Sequence, residues 1–249
     1  MIIRLDAYIT PYFPEVENQF NDSIAVFIDV LRAGTTVCAA LDAGAKEIIP
    51  CETIDKAVQI YNNLIKETCF LGGEKNGKKI NGFDAGNSPT EYNEQTVKGK
   101  TVVICTTNGT KTFLKAKQAK HRIIGSFVNI DAACEYLKQK IDTYTEDVTI
   151  NFFCSGNNGR LSFEDLLCAG AYIDFLKKRC LDVVMTDAAQ VAKNLYNLHS
   201  VELKSFIKTR EHALYLESIG YSEDIDLALT FNKFPVVPII TGSSIRSEK

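Results

Sequence analysis

The sequence predicts an α/β fold in which a largely parallel sheet is flanked by helices and the C-terminal part is helix-rich. Three observations predict it. Short apolar runs alternate with helix-periodic segments from residue 24 to residue 154, the pattern of strands joined by crossover helices. The runs at 24–30, 101–105 and 148–154 are apolar along most of their length, as strands covered on both faces are. From about Phe163 onward, helical stretches replace the alternation.

The elements follow in order. Residues 24–30 read as a buried strand that runs into a small-residue helix over 35–43, and 46–50 is a short strand. Residues 55–66 place Ala57, Val58, Ile60, Tyr61, Leu64 and Ile65 on one helical face. A strand at 68–71 comes next, then strands at 101–105, 122–125 and 148–154 with helices at 110–119 and 131–140 between them. Helices are expected at 163–179, 187–197 and 210–218, the second as a lid or an appended layer, and a last strand at 236–240. The expected organisation is a single α/β unit over 1–249, open to division into two lobes, about 1–95 and 96–249, with the site between them.

Composition narrows the class. Hydrophobic residues make up 45% and charged residues 24%, which suits a globular chain with a full core. A net charge of −3 and the lack of a basic, aromatic-interleaved stripe argue against nucleic acid as a partner. Lys115, Lys117, Lys120 and Arg122 do cluster, and a solvated helix face is the expected reading. No apolar run approaches the ~20 residues of a membrane span, and the N-terminus lacks the apolar stretch of a signal peptide. Eight cysteines are scattered through apolar positions without a Cys-x-x-Cys pair, so reduced, buried thiols in a cytoplasmic protein are expected. None of His121, His199 and His212 stands close in sequence to another histidine or to a cysteine, so nothing supports a transition-metal site. His121 falls in a basic run, and His212 reads as a residue at the core edge.

Candidate chemistry lies where strands end. Thr106-Thr107-Asn108-Gly109-Thr110 follows an apolar strand and precedes a helix, a layout that aims backbone N–H groups at an anion. The layout recurs after residue 30, with Arg32, and after residue 154, in the loop Cys154-Ser155-Gly156-Asn157-Asn158-Gly159-Arg160. In open parallel sheets ligands sit beyond the strand carboxyl ends, which would set Asp29, Arg32, 106–110 and 154–160 along one edge. Asp29 reads either as a Mg²⁺ ligand or nucleophile, or as a helix cap, and Arg32 either grips an anion or pairs with Asp29. Ser162 and Asp165 have capping-box register, which accounts for Asp165 better than for Glu164. Cys154 and Arg160 have the Cys-x5-Arg spacing of thiolate phosphatases, although no histidine precedes the cysteine. The glycine-rich segment 72–89 is either a surface excursion or hairpin, or a functional loop carrying Glu74, Asp84, Asn87 and Ser88.

These positions carry a resemblance. Asp29-Val30-Leu31-Arg32-Ala33, Gly72-Gly73-Glu74, Gly82-Phe83-Asp84, Gly86-Asn87-Ser88-Pro89 and Thr106-Thr107-Asn108-Gly109-Thr110 resemble the 2-phosphosulfolactate phosphatase family. Gly125-Ser126-Phe127 with Asn129, Gly159-Arg160, and Glu164-Asp165 with Cys168-Ala169-Gly170 extend the likeness over residues 24–175. Around His212 and Asp226 it is looser. Ala213 stands where members often have Gly, and Gly34 where a threonine is more usual. The resemblance implies a family-specific fold and a Mg²⁺-dependent phosphatase that converts 2-phosphosulfolactate to sulfolactate and phosphate, of the kind that serves coenzyme M biosynthesis. Members lack the Asp-x-Asp nucleophile of haloacid-dehalogenase phosphatases, and position 31 here is Leu.

Residues and resemblance together nominate Asp29, Arg32, Glu164 and Cys154 for catalysis, and Asp29, Glu164, Asp84 and Glu74 for Mg²⁺. For substrate they nominate Arg32, Asn87, Ser88, Thr106, Thr107, Asn108, Gly109, Thr110, Ser126, Gly156 and Arg160. The expected partner is a small anionic phosphorylated substrate, with no nucleic acid, no membrane, and a homo-oligomeric state left open. One alternative is a phosphatase of another small phosphorylated hydroxy acid, and the rival from another class is a non-catalytic sensor of an anionic metabolite. Several acids beside the anion would repel it, so they favour metal-assisted catalysis.

Overall fold

In chain order the first elements are β1 (Ile3–Tyr8), β2 (Ile24–Ile28), α1 (Ala33–Asp42), β3 (Glu47–Cys51), α2 (Ile54–Asn62), β4 (Cys69–Lys75) and β5 (Lys78–Lys79). Next come α3 (Glu94–Val97), β6 (Thr101–Cys105), α4 (Gly109–Phe113), β7 (His121–Gly125), α5 (Ile130–Ile141), β8 (Val148–Cys154) and α6 (Phe163–Arg179). The rest are β9 (Val183–Met185), α7 (Asp187–His199), α8 (Leu203–Lys208), α9 (Glu211–Ser218), α10 (Ser222–Ala228), β10 (Pro238–Thr241) and β11 (Ser244–Ser247). These come from a computed structural model, which describes residues 1–13 and 19–248.

One 11-stranded sheet runs in the order β5-β4-β6-β3-β11-β10-β7-β2-β8-β1-β9. It is largely parallel, as the alternation predicts, but consists of two parallel groups. One holds β4, β6 and β3; the other holds β7, β2, β8, β1 and β9. The hairpin β10–β11 bridges them through three antiparallel pairings, β7 with β10, β10 with β11, and β11 with β3. An odd number of reversals means that the two groups run in opposite senses. The expected single edge of strand ends is therefore replaced by a meeting of two groups. β6, from beyond residue 95, lies between β3 and β4, so strands from both sides of that position share one sheet.

Burial follows the alternating pattern. Every residue of β2 and β6 is buried, which is why these strands read as unbroken apolar runs. On one face Phe27 and Phe153, stacked at 5.2 Å, share a core with Val37 of α1 and Phe113 of α4. On the other, Phe152 shares a core with Leu137 of α5 and with Leu167 and Tyr172 of α6. Each such large side chain contributes roughly 1.5–3 kcal/mol by leaving water.

Several expectations need correction. The helix expected over 110–119 stops at Phe113, and Ala116 takes φ +45°, a left-handed conformation that no helix continues through. The basic cluster is therefore not a helix face: Lys115 donates to the Pro11 carbonyl, and Arg122 is buried in β7, donating to the Phe113 carbonyl. Unforeseen β1 lies beside β8, with Ile3, Leu5 and Ala7 inward. Segment 72–89 extends β4, turns through the β4–β5 hairpin and then packs Phe83, Asn87 and Ser88 inward. Among the described residues no helix is long and apolar enough to cross a membrane. All eight cysteines are free, and all but Cys180 are buried.

Candidate active site

The turn after β2 holds the first carboxylate. Asp29 is 4% exposed, and its Oδ1 accepts the Ala33 N–H at 3.0 Å, the bond that the cap reading expects. The turn is tight at two glycines. The Gly34 N–H donates to the Asp29 carbonyl at 2.7 Å, and a Cβ there would stand 2.6 Å from that oxygen. A Cβ on Gly109 would stand 2.5 Å from Asp29 Oδ2. Only glycine lets the turn after β6 approach this carboxylate.

The first turn of α6 brings two more acids. Ser162 makes no cap bond, so the expected capping box is absent. The Asp165 carboxylate reaches instead across the strand ends, its Oδ1 accepting the Val30 N–H at 2.8 Å and its Oδ2 the Gly156 N–H at 2.9 Å. It ties the turn after β2 to the loop after β8. Burial, with the neighbouring charges of Asp29 and Glu164, pushes the Asp165 pKa well above the usual carboxylate range. Glu164 is 1% exposed; its Oε1 meets His212 Nδ1 at 2.6 Å, while its buried Oε2 has no partner among the described residues.

Glu74 comes from the end of β4. Its Oε1 accepts the Thr107 N–H at 2.6 Å, and its Oε2 accepts the Thr107 hydroxyl at 3.0 Å and the Gly77 N–H at 2.7 Å. Burial pushes the Asp29 pKa up to about 7, with Glu74 and Glu164 adding to the rise against the pull of His212 and the Ala33 amide. Burial alone would lower the His212 pKa. The Glu164 hydrogen bond and the charges of Glu164 and Asp29 outweigh it and hold His212 above its ordinary value. A buried carboxylate group with a surplus of negative charge is the electrostatic signature of the site.

Arg32 does not pair with Asp29. Its Nη1 donates to Asp224 Oδ2 at 2.8 Å and its Nη2 to the Gly77 carbonyl at 2.6 Å, and its guanidinium carbon lies 4.0 Å from the Tyr221 ring centroid. Asp224 Oδ1 in turn accepts the Ser88 hydroxyl at 2.6 Å. This buried pair joins the turn after β2, the β4–β5 hairpin, segment 72–89 and α10. Asp224→Ala leaves a buried guanidinium without its counter-charge and is expected to cost about 3–5 kcal/mol of stability. A chemical denaturation series checks this, and a midpoint unchanged from wild type would contradict it.

One cleft is lined by Asp29, Arg32, Glu74, Asn87, Thr107 and His212, among others. Asn87 is 4% exposed with an unpartnered Oδ1, and Thr106 and Asn108 also reach this wall. The amides of Thr106, Thr107 and Thr110 are already bonded to Thr110 Oγ1, Glu74 and Thr106 Oγ1, so they do not point free at an anion. A second hollow, lined by Arg160, Ser162, Glu164, Arg210 and His212, adjoins the first through Asn157, Asn158 and His212.

Other nominated residues lie outside the cleft. Asp84 is exposed at the sheet margin, where its Oδ2 accepts the Leu71 N–H at 2.8 Å. Ser126 is fully buried, its hydroxyl 3.0 Å from that of Thr35, and Thr110 and Ser88 serve internal bonds. Cys154 is fully buried, and burial followed by the charges of Asp165 and Glu164 pushes its thiol pKa well up. Arg160, at the exposed end of the loop, reaches the second hollow rather than the cleft. This is the reverse of the electropositive cradle that a thiolate nucleophile needs.

Sequence spacing missed His212, Asp165 and Asp224. His212 sits 48 positions from Glu164, and Asp224 sits 192 positions from Arg32, so no local pattern joins either pair. Asp226, near the loosely similar C-terminal stretch, pairs at the surface with Lys204 and Lys208.

The family model described as 2-phosphosulpholactate phosphatase matches residues 10–243 of the chain. A protein of Caldanaerobacter subterraneus subsp. tengcongensis named "Probable 2-phosphosulfolactate phosphatase" is 36% identical over 240 residues, covering 94% of this chain and 97% of its own. A Thermotoga maritima protein of the same name is 39% identical over 225 residues, 90% of this chain and 92% of its own. A Clostridium beijerinckii protein, again of that name, is 34% identical over 233 residues, with 94% and 95% covered.

Proposed function

The chain belongs to the 2-phosphosulpholactate phosphatase family and is thereby a phosphoric monoester hydrolase; from that premise we propose that it cleaves 2-phosphosulfolactate to 3-sulfolactate and phosphate with Mg²⁺ as cofactor. The observation that supports the metal is the gathering of buried carboxylates at two adjoining hollows. Asp29, its pKa raised by burial, lines the cleft with Glu74, and Glu164, whose buried Oε2 has no partner among the described residues, lines the second hollow, which shares His212 with the first. Among the described residues no three His, Cys, Asp or Glu side chains are grouped so as to hold a metal ion among themselves. Mg²⁺ does not require such a group, since it takes one or two protein carboxylates and completes its shell with substrate phosphate and water. Asp29 and Glu164 would hold it, with Glu74 orienting the Thr107 wall. Bound there, the ion would offset charge on the phosphoryl oxygens.

The chain's own groups do the rest. His212, with Nδ1–H donating to Glu164 Oε1, carries a second proton on Nε2 in its charged form and delivers it to the alkoxide as the ester P–O bond breaks, while one water is consumed to supply the oxygen that replaces it on the released phosphate. Asp165 fixes the two strand-end turns that flank the phosphoryl position. Buried Arg32, its charge matched by Asp224, braces the cleft wall, with Asp224 and the Gly77 carbonyl holding its fork in place. The free, mostly buried cysteines suit the reducing cytoplasm.

Chelation tests the metal. EDTA is expected to abolish phosphate release and added Mg²⁺ to restore it, while Cys154→Ser keeps substantial turnover. Metal-independent release together with an inactive Cys154→Ser enzyme would overturn this reading in favour of thiolate chemistry.

A further inference from the structure

We infer that the tip of the β4–β5 hairpin, Asn76-Gly77, is a lid on the cleft, latched to α9 by the Tyr215 hydroxyl and lifting to let ligand in and out. It rests on the phosphatase reading for what the cleft admits, and adds how entry to that site is controlled. Asn76 and Gly77 line the cleft together with His212, Tyr215 and Leu216 of α9. The space enclosed is about 40 Å³. At ~10–15 Å³ for each water, that is room for about three waters. A phosphoryl group, a hydrated cation and an attacking water do not fit there together, so a wall has to part.

The hairpin is the wall free to move. β5 is the outermost strand of its sheet end and pairs only with β4, through Glu74 with Lys79 and Lys75 with Lys78. Residues 75–79 include no apolar side chain, and Lys75, Asn76, Lys78 and Lys79 are exposed. A segment with so little buried apolar surface opens at low cost. Asp29 and Thr106, by contrast, follow strands that are buried at every residue. The turn itself is stiff, with Asn76 at φ +52° and Gly77 at φ +74°, the left-handed pair of a two-residue Asn-Gly turn. The tip therefore moves as a unit.

What holds the tip down is polar and reversible. Tyr215 Oη donates to the Asn76 carbonyl at 2.8 Å, Arg32 Nη2 to the Gly77 carbonyl at 2.6 Å, and the Gly77 N–H to Glu74 Oε2 at 2.7 Å. Lifting exchanges these bonds for bonds to water. Closing sets Arg32, Glu74 and the helix that carries His212 in one arrangement. Glycine permits the approach, because a Cβ on Gly77 would stand 2.8 Å from Ile219 Cδ1 and 3.3 Å from Tyr215 Cε1.

Tyr215→Phe tests the latch while keeping the ring. It removes one neutral hydrogen bond, so the open population should rise about 2- to 10-fold. Trypsin cleavage after Lys75 and Lys78 in ligand-free protein follows that population and should quicken by the same factor. Leu214→Ala, half exposed on the same helix and outside the cleft lining, should leave cleavage unchanged. Binding of inorganic phosphate with Mg²⁺, followed by phosphorus NMR exchange, gives the second readout. Association and dissociation should both quicken with Kd nearly unchanged, because the latch closes over an empty and a loaded cleft alike. A Tyr215 that merely touched the ligand would alter dissociation alone. Faster cleavage in a protein that neither binds nor releases phosphate would keep the lid and sink the phosphatase reading alone. Wild-type cleavage in Tyr215→Phe, or an equal gain in Leu214→Ala, would overturn the lid. So would phosphate rates that stay unchanged or change in dissociation alone, since ligand would then enter through the second hollow.

Discussion

Asp29→Asn is expected to lower kcat by about 10³-fold, the scale seen when a preorganised charge-stabilising group is removed from an active site. The substitution keeps the shape of the side chain, and the amide oxygen can still accept the Ala33 N–H, so the turn after β2 survives. It removes the negative charge that a buried cleft would use to hold a divalent cation. Burial has already raised the pKa of this group to about 7, so the folded protein holds the charge at a cost that a bound cation would relieve. Steady-state kinetics at saturating Mg²⁺, paired with a thermal melt, separate the two roles. Wild-type kcat with a lowered melting temperature would return Asp29 to capping alone, worth roughly 1 kcal/mol.

His212→Gln is expected to lower kcat by about 10²–10⁴-fold on 2-phosphosulfolactate, whose alkoxide leaving group needs a proton. On p-nitrophenyl phosphate the loss should be far smaller, because nitrophenolate departs without protonation. The contrast follows from the 2.6 Å bond to Glu164, which aligns the ring and keeps its charged form favoured despite burial. Equal losses on both substrates would mean that His212 supports the site only through Glu164.

The parallel strands were legible because β2, β6 and β8 carry their burial in their composition: a strand covered on both faces must be apolar along its length. β1 also bore a signature, the alternation of Ile3, Leu5 and Ala7 with Arg4, Asp6 and Tyr8, yet it lacks flanking helical periodicity to frame it. The reversal between the two groups was not legible. It depends on the hairpin β10–β11, whose second strand, Ser-Ile-Arg-Ser, is mostly polar and looks like a turn.

The site divides the same way. Glu74 and the turn of 106–110 sit at strand ends of one parallel group and Asp29 just past a strand end of the other, so each strand-end position was legible while their meeting across the two groups was not. Asp165 was hidden because an acid in a first helical turn is favoured by the helix dipole with or without a role. Its two long-range amide bonds appear only when the loop after β8 folds over it. The roles of His212 and Asp224 were hidden for a different reason: the helix at 210–218 was expected but no local spacing marks its histidine for chemistry, and both residues acquire meaning only by packing onto Glu164 and Arg32. Asp84 misled because an acid in a glycine-rich loop looks inward-reaching, when its carboxylate in fact closes an edge-strand turn on the Leu71 amide.

The central claim is that this carboxylate–histidine cleft hydrolyses 2-phosphosulfolactate with Mg²⁺. Its most direct test is phosphate release from purified protein and 2-phosphosulfolactate, with Mg²⁺ present and after EDTA, for wild type and Asp29→Asn side by side. The account predicts release by metal-loaded wild type, none after chelation, and at least about 10²-fold less from Asp29→Asn in Mg²⁺. Equal release by wild type and Asp29→Asn, or no release by metal-loaded wild type, would contradict it.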